Sequence, residues 1–233
     1  DRKTGIKFLL EPTGTPGKLD VPRNSQGIAL IGDPRNDENL IVSQLQAAFL
    51  MFHNAAVDYV KDKLDLKRAE QVFAEAQRLV RWHYQWIVVH EFLKKTCGAE
   101  VVDDVLANGR KFYEWHNEPF VPVEFSVAAY RFGHSQVRPS YRANFDGNPG
   151  GKPFFAMIFT PTPSDPDDPD DLSGGVRAPR RFVDWRTFFD FGDGNVRPNK
   201  KIDTTLSTPL FELPGSVVPN PDPKASPRSL AQR

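Results

Sequence analysis

A mainly α fold with long loops is expected from three features of this sequence. Apolar residues recur at helical spacing through Ile41, Leu45, Ala48, Phe49, Phe52 and Ala56. They recur again through Ala69, Val72, Phe73, Ala76, Val80, His83, Ile87, His90 and Leu93. No run of alternating strands is visible, so helices packed on helices are the layer architecture to expect.

Taken in order, residues 1–31 read as a loop-rich lead-in with short extended pieces, because EPTGTPG and VPRNSQG are dense in chain breakers. Gly32, Asp33 and Pro34 form a turn, in which proline presets φ. A first helix is expected over Asn39–Lys63 and a second over Leu66–Thr96, with Gly98 just past its end. GAEVVDDVLANG is a short helix or a turn. Pro119–Pro122 opens a third helix, Val123–Gln136, with Phe125, Ala128, Ala129 and Phe132 on its apolar side and Pro139 as its stop. SYRANFDGNPGGKPFF is loop or hairpin, since DGN and PGG are turn signals. The acidic, Pro-rich PTPSDPDDPDDLSGG is expected as a surface loop that cannot bury itself. FVDWRTFFDF is a candidate short helix, and the Pro-rich LPGSVVPNPDPKASPRSLAQR an exposed arm.

Composition narrows the function. Lys plus Arg equals Asp plus Glu, at 30 each, so no net charge points to nucleic acid or an anionic membrane. The single cysteine, Cys97, allows no internal disulfide, and no Cys/His zinc spacing exists. No apolar run reaches about 18 residues, so no transmembrane segment is expected. DRKTGIKFLL is too charged for a signal peptide, and the residues alone do not give the compartment. The 18 phenylalanines suit either a pocket for a large flat ligand or an ordinary aromatic core.

The chemistry concentrates in two stretches. Arg35 and Glu38 stand three apart at a helix start, on one face if that turn is already helical. Ninety-six residues after Glu38, His134 follows Gly133 on an apolar segment that also carries Arg131 one helical turn earlier. A lone histidine there is ordinarily a satisfied core residue. His83 and His90 are seven apart on one face, a spacing compatible with a metal, though packing beside Trp82 and Trp86 is the expectation. His116 is expected exposed. Cys97 lies near Lys94 and Lys95, which could activate a thiol, but it is read as incidental.

Together the stretches resemble the animal-type haem peroxidases, the superfamily that includes the cyclooxygenases. That family carries G-D-x-R-x-x-E, then a helix ending F-L-x-x-H-N, matched here by Gly32, Asp33, Arg35, Glu38, Phe49, Leu50, His53 and Asn54. Its proximal motif, F-R-x-G-H, is matched by Tyr130, Arg131, Phe132, Gly133 and His134. The resemblance implies haem b with His134 as axial iron ligand, Arg35 as distal catalytic arginine and Arg131 against a haem propionate. Gly133 would let a porphyrin approach the backbone. Glu38 would either ester-link a haem methyl or face the haem edge. Asn39 lies beside it at the cofactor; one mammalian member has a methionine there that links to haem through sulfur, which Asn39 cannot do. Arg131 stands where the cyclooxygenases have a radical-forming tyrosine, so peroxidase chemistry is implied. His53 matches a structural histidine of the family.

The resemblance runs from about Lys7 to the end, with KIDTTLSTPLFELP (Lys201–Pro214) similar to bacterial members. The chain is therefore expected to be the middle part of one peroxidase domain: lead-in 1–31, haem-flanking helices 32–139, and loop-rich part with arm 140–233. The family's distal histidine and calcium loop lie upstream of such a segment, and no histidine precedes Arg35 here. The implied function is oxidation of a small donor by hydrogen peroxide, with a further polypeptide bringing the distal histidine and Ca2+. A secreted or periplasmic setting is implied by the resemblance alone. The competing expectation is a non-catalytic helical scaffold or interaction domain that keeps the fold.

Overall fold

The computed structural model describes residues 5–153 and 165–213. The arm expected from Pro214 onward, and the start of the acidic loop, lie outside the described residues. The chain divides into two units, Asp1–Phe52 with Ser135–Arg233, and His53–His134. The protein is mostly helical.

The first unit opens on a two-residue ribbon in which β1 (Glu11–Pro12) pairs antiparallel with β2 (Leu19–Asp20). Asp33 then caps a 3-10 turn, Pro34–Asp37, by accepting the Arg35 backbone N–H at 3.0 Å, with proline in the first turn where its missing N–H costs nothing. Asn39 caps the following α1 (Leu40–Lys63): its Oδ1 accepts the Val42 N–H at 2.9 Å. The Leu40 N–H donates to the Leu172 carbonyl at 2.7 Å. Around that contact Leu40, Ala143, Leu172 and Val183 form a buried cluster, flanked by Ile41, Tyr141, Trp185 and Phe188. The hairpin expected after Pro139 is present as β3 (Ser140–Tyr141) against β4 (Lys152–Pro153). FVDWRTFFDF supplies only a 3-10 turn, Trp185–Thr187.

The acidic loop differs from expectation. Asp165–Asp167 are exposed, but Asp171, Leu172 and Ser173 are buried. A polar segment can be buried when its backbone groups find partners. Arg181, itself fully buried, donates to the carbonyls of Asp171, Ser173, Gly174 and Val176. Asn144 donates to the carbonyls of Pro169, Arg180 and Phe182, and its own oxygen accepts the N–H groups of Asp146 and Gly147. Two side chains thus do for this loop what a sheet ladder does for a strand.

The second unit holds the end of α1, then α2 (Ala69–Ile87), a π-helical turn Val88–Phe92 and α3 (Leu93–Cys97). Gly98, at φ +94°, ends that run as expected, and α4 (Ala99–Asn108) follows. The buried positions here include Ala56, Val57, Val60, Val72, Ala76 and Val102. His53 is buried with its ring 5.2 Å from that of Phe73, as a structural histidine should be. The third helix is broken. α5 (Val123–Val127) ends after one turn, Ala128 leaves the helical region at φ −122°, and a 3-10 segment Ala129–Gln136 continues. The aromatic and glycine residues of that segment favour helix weakly, so the apolar period alone overstated its regularity.

His83 and His90 do not pack in a core. Both are exposed, as are Trp82 (57%) and Trp86 (55%). The His90 ring rests 5.0 Å from Trp86, and the Arg78 guanidinium covers Trp82 at 4.0 Å, so local stacking replaces burial. His116 and Cys97 are exposed. α1 is long and apolar enough to cross a membrane by length and composition alone, a property the broken apolar run had hidden. Its Ser43, Gln44 and His53 are buried within the protein.

Candidate active site

The G-D-x-R-x-x-E residues sit on the capped 3-10 turn. With three residues per turn, Arg35 and Glu38 share a face, and the Glu38 charge acts on the guanidinium. Both are exposed. Arg35 is held by its neighbour: Nη2 lies 2.5 Å from Asp33 Oδ2, and Nε donates to both carboxylate oxygens. The side-chain bond from Arg35, then the Arg35 backbone N–H, bring the Asp33 carboxyl down to about 2. The same pairing raises the arginine further above its ordinary value. Glu38 accepts no side-chain hydrogen bond among the described residues, while its carbonyl accepts the Gly174 N–H at 3.2 Å. Asn39 has its oxygen engaged as the α1 cap and its backbone bridged to Ser173.

Beneath this turn lies a set of buried charges that sequence reasoning missed. Arg23 donates to Asp20 at 2.8 Å and to Asp37 at 2.6 and 2.8 Å. Ser43 donates to Asp37 Oδ1 at 3.0 Å, an oxygen it shares with Arg23. Desolvation alone would lower the Arg23 pKa; the bonds to Asp37 and Asp20 outweigh it and raise it. Asp37 immediately precedes Glu38, so this clamp fixes the turn that presents Arg35 and Glu38. Arg177 completes the group from 157 residues away, its N–H bonded to Asp20 at 3.1 Å. No spacing in the sequence could join residues so far apart.

The F-R-x-G-H residues lie in the second unit, on the 3-10 segment. Arg131 and His134 are three apart and therefore share a face of that segment. His134 is half-buried, and Arg131 is exposed; neither side chain has a partner among the described residues. A Cβ added at Gly133 would meet open space. Next to them Val123 (70% exposed), Val127 (64%) and Tyr130 (63%) leave an uncovered apolar surface, with the Tyr130 ring stacked 5.7 Å from Phe125. The structure thus brings Arg35 with Glu38 in one unit, and Arg131 with Gly133 and His134 in the other.

These residues fit a haem. An imidazole with no protein partner, a neighbouring position with no side chain and open space, an unpaired guanidinium and bare apolar surface are what a porphyrin, its iron and a propionate require. Among the described residues there is no group of three or more His, Cys, Asp or Glu side chains that could hold a bare metal ion.

Comparison with known proteins agrees. The family model described as animal haem peroxidase matches residues 3–172. Over 136 residues the chain is 30% identical to thyroid peroxidase of Sus scrofa, covering 57% of this chain and 15% of that protein. It is 28% identical to dual oxidase of Drosophila melanogaster, covering 56% and 8%. It is 32% identical to a peroxidase-like protein of Margaritifera margaritifera, covering 55% and 16%. The chain therefore spans less than a fifth of each of these relatives.

Proposed function

Because this chain belongs to the animal haem peroxidase family, we propose that it forms the proximal face and part of the distal edge of a haem peroxidase that oxidises a small donor with hydrogen peroxide. The observation that carries this reading is the pair of motifs in family order: Arg35 exposed on a clamped turn and bonded to Asp33, and His134 beside open space at Gly133.

Haem, when bound, supplies the iron at which peroxide is reduced and from which the donor is oxidised. His134 would hold that iron through its neutral imidazole. Arg131, on the same face, would meet a propionate with its planar fork. Arg35 keeps its charge at any working pH and would stabilise negative charge as the O–O bond breaks. Its bond to Asp33 orients the guanidinium and must yield part of its donors to do so. Glu38, with a free carboxylate, would face the haem edge or ester-link a methyl. Asn39 holds the start of α1 in place beside it. Proton transfer falls to a distal histidine on polypeptide beyond these residues, together with Ca2+, and a secreted or periplasmic setting goes with that assembly.

The test is an absorption spectrum. The native protein should show a Soret band, and His134→Ala should lose haem or shift its ferric and ferrous bands. Identical spectra for the two proteins reject His134 as ligand. No band in the native protein leaves a helical scaffold that keeps only the fold.

A further inference from the structure

In the first unit a cavity of about 380 Å³ opens between residues 138–140 and 197–200. Its wall carries Arg138, Arg197 and Lys200 and no carboxylate. The chain as a whole has equal numbers of acidic and basic residues, so three cations without an anion is a local bias that needs a cause.

Arg138 and Arg197 are fixed by backbone carbonyls, with no carboxylate partner among the described residues. One Arg138 nitrogen, Nη2, donates to the carbonyls of Arg197, at 3.0 Å, and Pro198. Its guanidinium also stands over the Tyr141 ring at 5.7 Å. Arg197 Nη2 donates to the Pro149 carbonyl. The remaining donors of both forks have no acceptor among the described residues. Lys200 is tied to the carbonyls of Ser135, at 2.5 Å, and Thr205, at 2.9 Å, with Asp203 at 3.5 Å as an acidic neighbour. Burial, and secondarily the nearby Arg197, lower the Arg138 pKa despite the compensating effect of Tyr141. Two guanidinium groups that line one cavity, each with spare donors and no carboxylate partner among the described residues, suit an oxygen anion that accepts from both.

We propose that this cavity binds a small oxyanion, a carboxylate or phosphate group, gripped by Arg138 and Arg197 with Lys200 behind them. Its volume lies near the lower end of ligand sites, which suits a compact group rather than a nucleotide. The ligand completes the donors that the backbone leaves open and neutralises a wall that is otherwise all positive.

Titration calorimetry on the full chain with inorganic phosphate and, separately, with acetate tests this, at constant ionic strength set with chloride. At least one of the two should bind saturably near one per chain, and the stronger of them identifies the group recognised. Arg197→Gln should weaken that binding roughly tenfold or more, the scale of a lost charged hydrogen bond. Arg138→Gln should do the same; if it disturbs folding, Arg197→Gln decides, since Arg197 reaches the backbone through one carbonyl only. Absence of saturable binding by both ions, or an isotherm unchanged in Arg197→Gln, overturns the proposal.

Discussion

Arg23 and Arg177 are both buried arginines of one charge cluster, yet they should tolerate loss very differently. Arg23 satisfies two carboxylates at once, and its removal would leave Asp20 and Asp37 buried without their main donor. Arg177 stands 3.9 Å from Asp20, and its Nε and Nη1 have no hydrogen-bond partner among the described residues. Burial, then Arg181, push the Arg177 guanidinium down to about 9, the mark of a charge its surroundings serve poorly. Breaking a buried pair costs about 3–5 kcal/mol, whereas an apolar replacement of a poorly served charge is often near neutral. Arg23→Met should therefore lower the urea midpoint sharply and Arg177→Met much less. Equal losses would mean that Arg177 is better satisfied than its geometry shows.

Asp33 offers a pH test at the motif itself. Its carboxyl lies at about 2, below its ordinary value of 3.8, because the charged form is bonded to Arg35. A depressed carboxyl keeps its partner above the ordinary value and loses it as pH falls through the depressed one. The Arg35 fork should thus stay docked at neutral pH and be released only near pH 2. A carboxyl-carbon titration by NMR should place the Asp33 midpoint near 2, and Arg35→Ala should return it toward the ordinary value. A midpoint already ordinary in the unmodified protein would remove the ion pair as the device that orients Arg35.

Among the elements, the helices were legible because each has its own period: α1 lies where spacing placed it, and α2 with its π turn and α3 fills the second segment. The break between α5 and the His134 segment was not legible, since apolar spacing reads through a residue such as Ala128 without sensing its dihedrals. The buried end of the acidic loop was hidden for another reason. Its partners, Arg181 and Asn144, announce nothing by composition. One residue there makes the packing testable. A Cβ on Gly174 would stand 1.7 Å from the Asp37 carbonyl oxygen, a backbone atom that cannot swing aside. Gly174→Ala should therefore force the loop off the start of α1, break the Gly174–Glu38 bond and lower the melting temperature by several degrees or more. A melt matching the parent protein would show that this loop does not hold the turn of Arg35 and Glu38.

For the whole molecule, the two motif halves were readable as chemistry, and the proposed function adds further polypeptide to them. No histidine precedes Arg35 among these residues, and the reading proposed above gives the proton-moving step to a histidine outside them. Large apolar side chains motivate the same proposal. Trp82, Trp86 and Phe92 are each more than half exposed, and Phe112 is 98% exposed. Exposed rings in such number suit a surface that further polypeptide covers. The active particle should then be heavier than this 26.3 kDa chain with one haem, and denaturing it should release at least one further polypeptide. Native and denaturing mass spectrometry on the source material measure both. Full peroxidase turnover from a particle of this chain and one haem alone would show that the proton is moved by a residue within these 233.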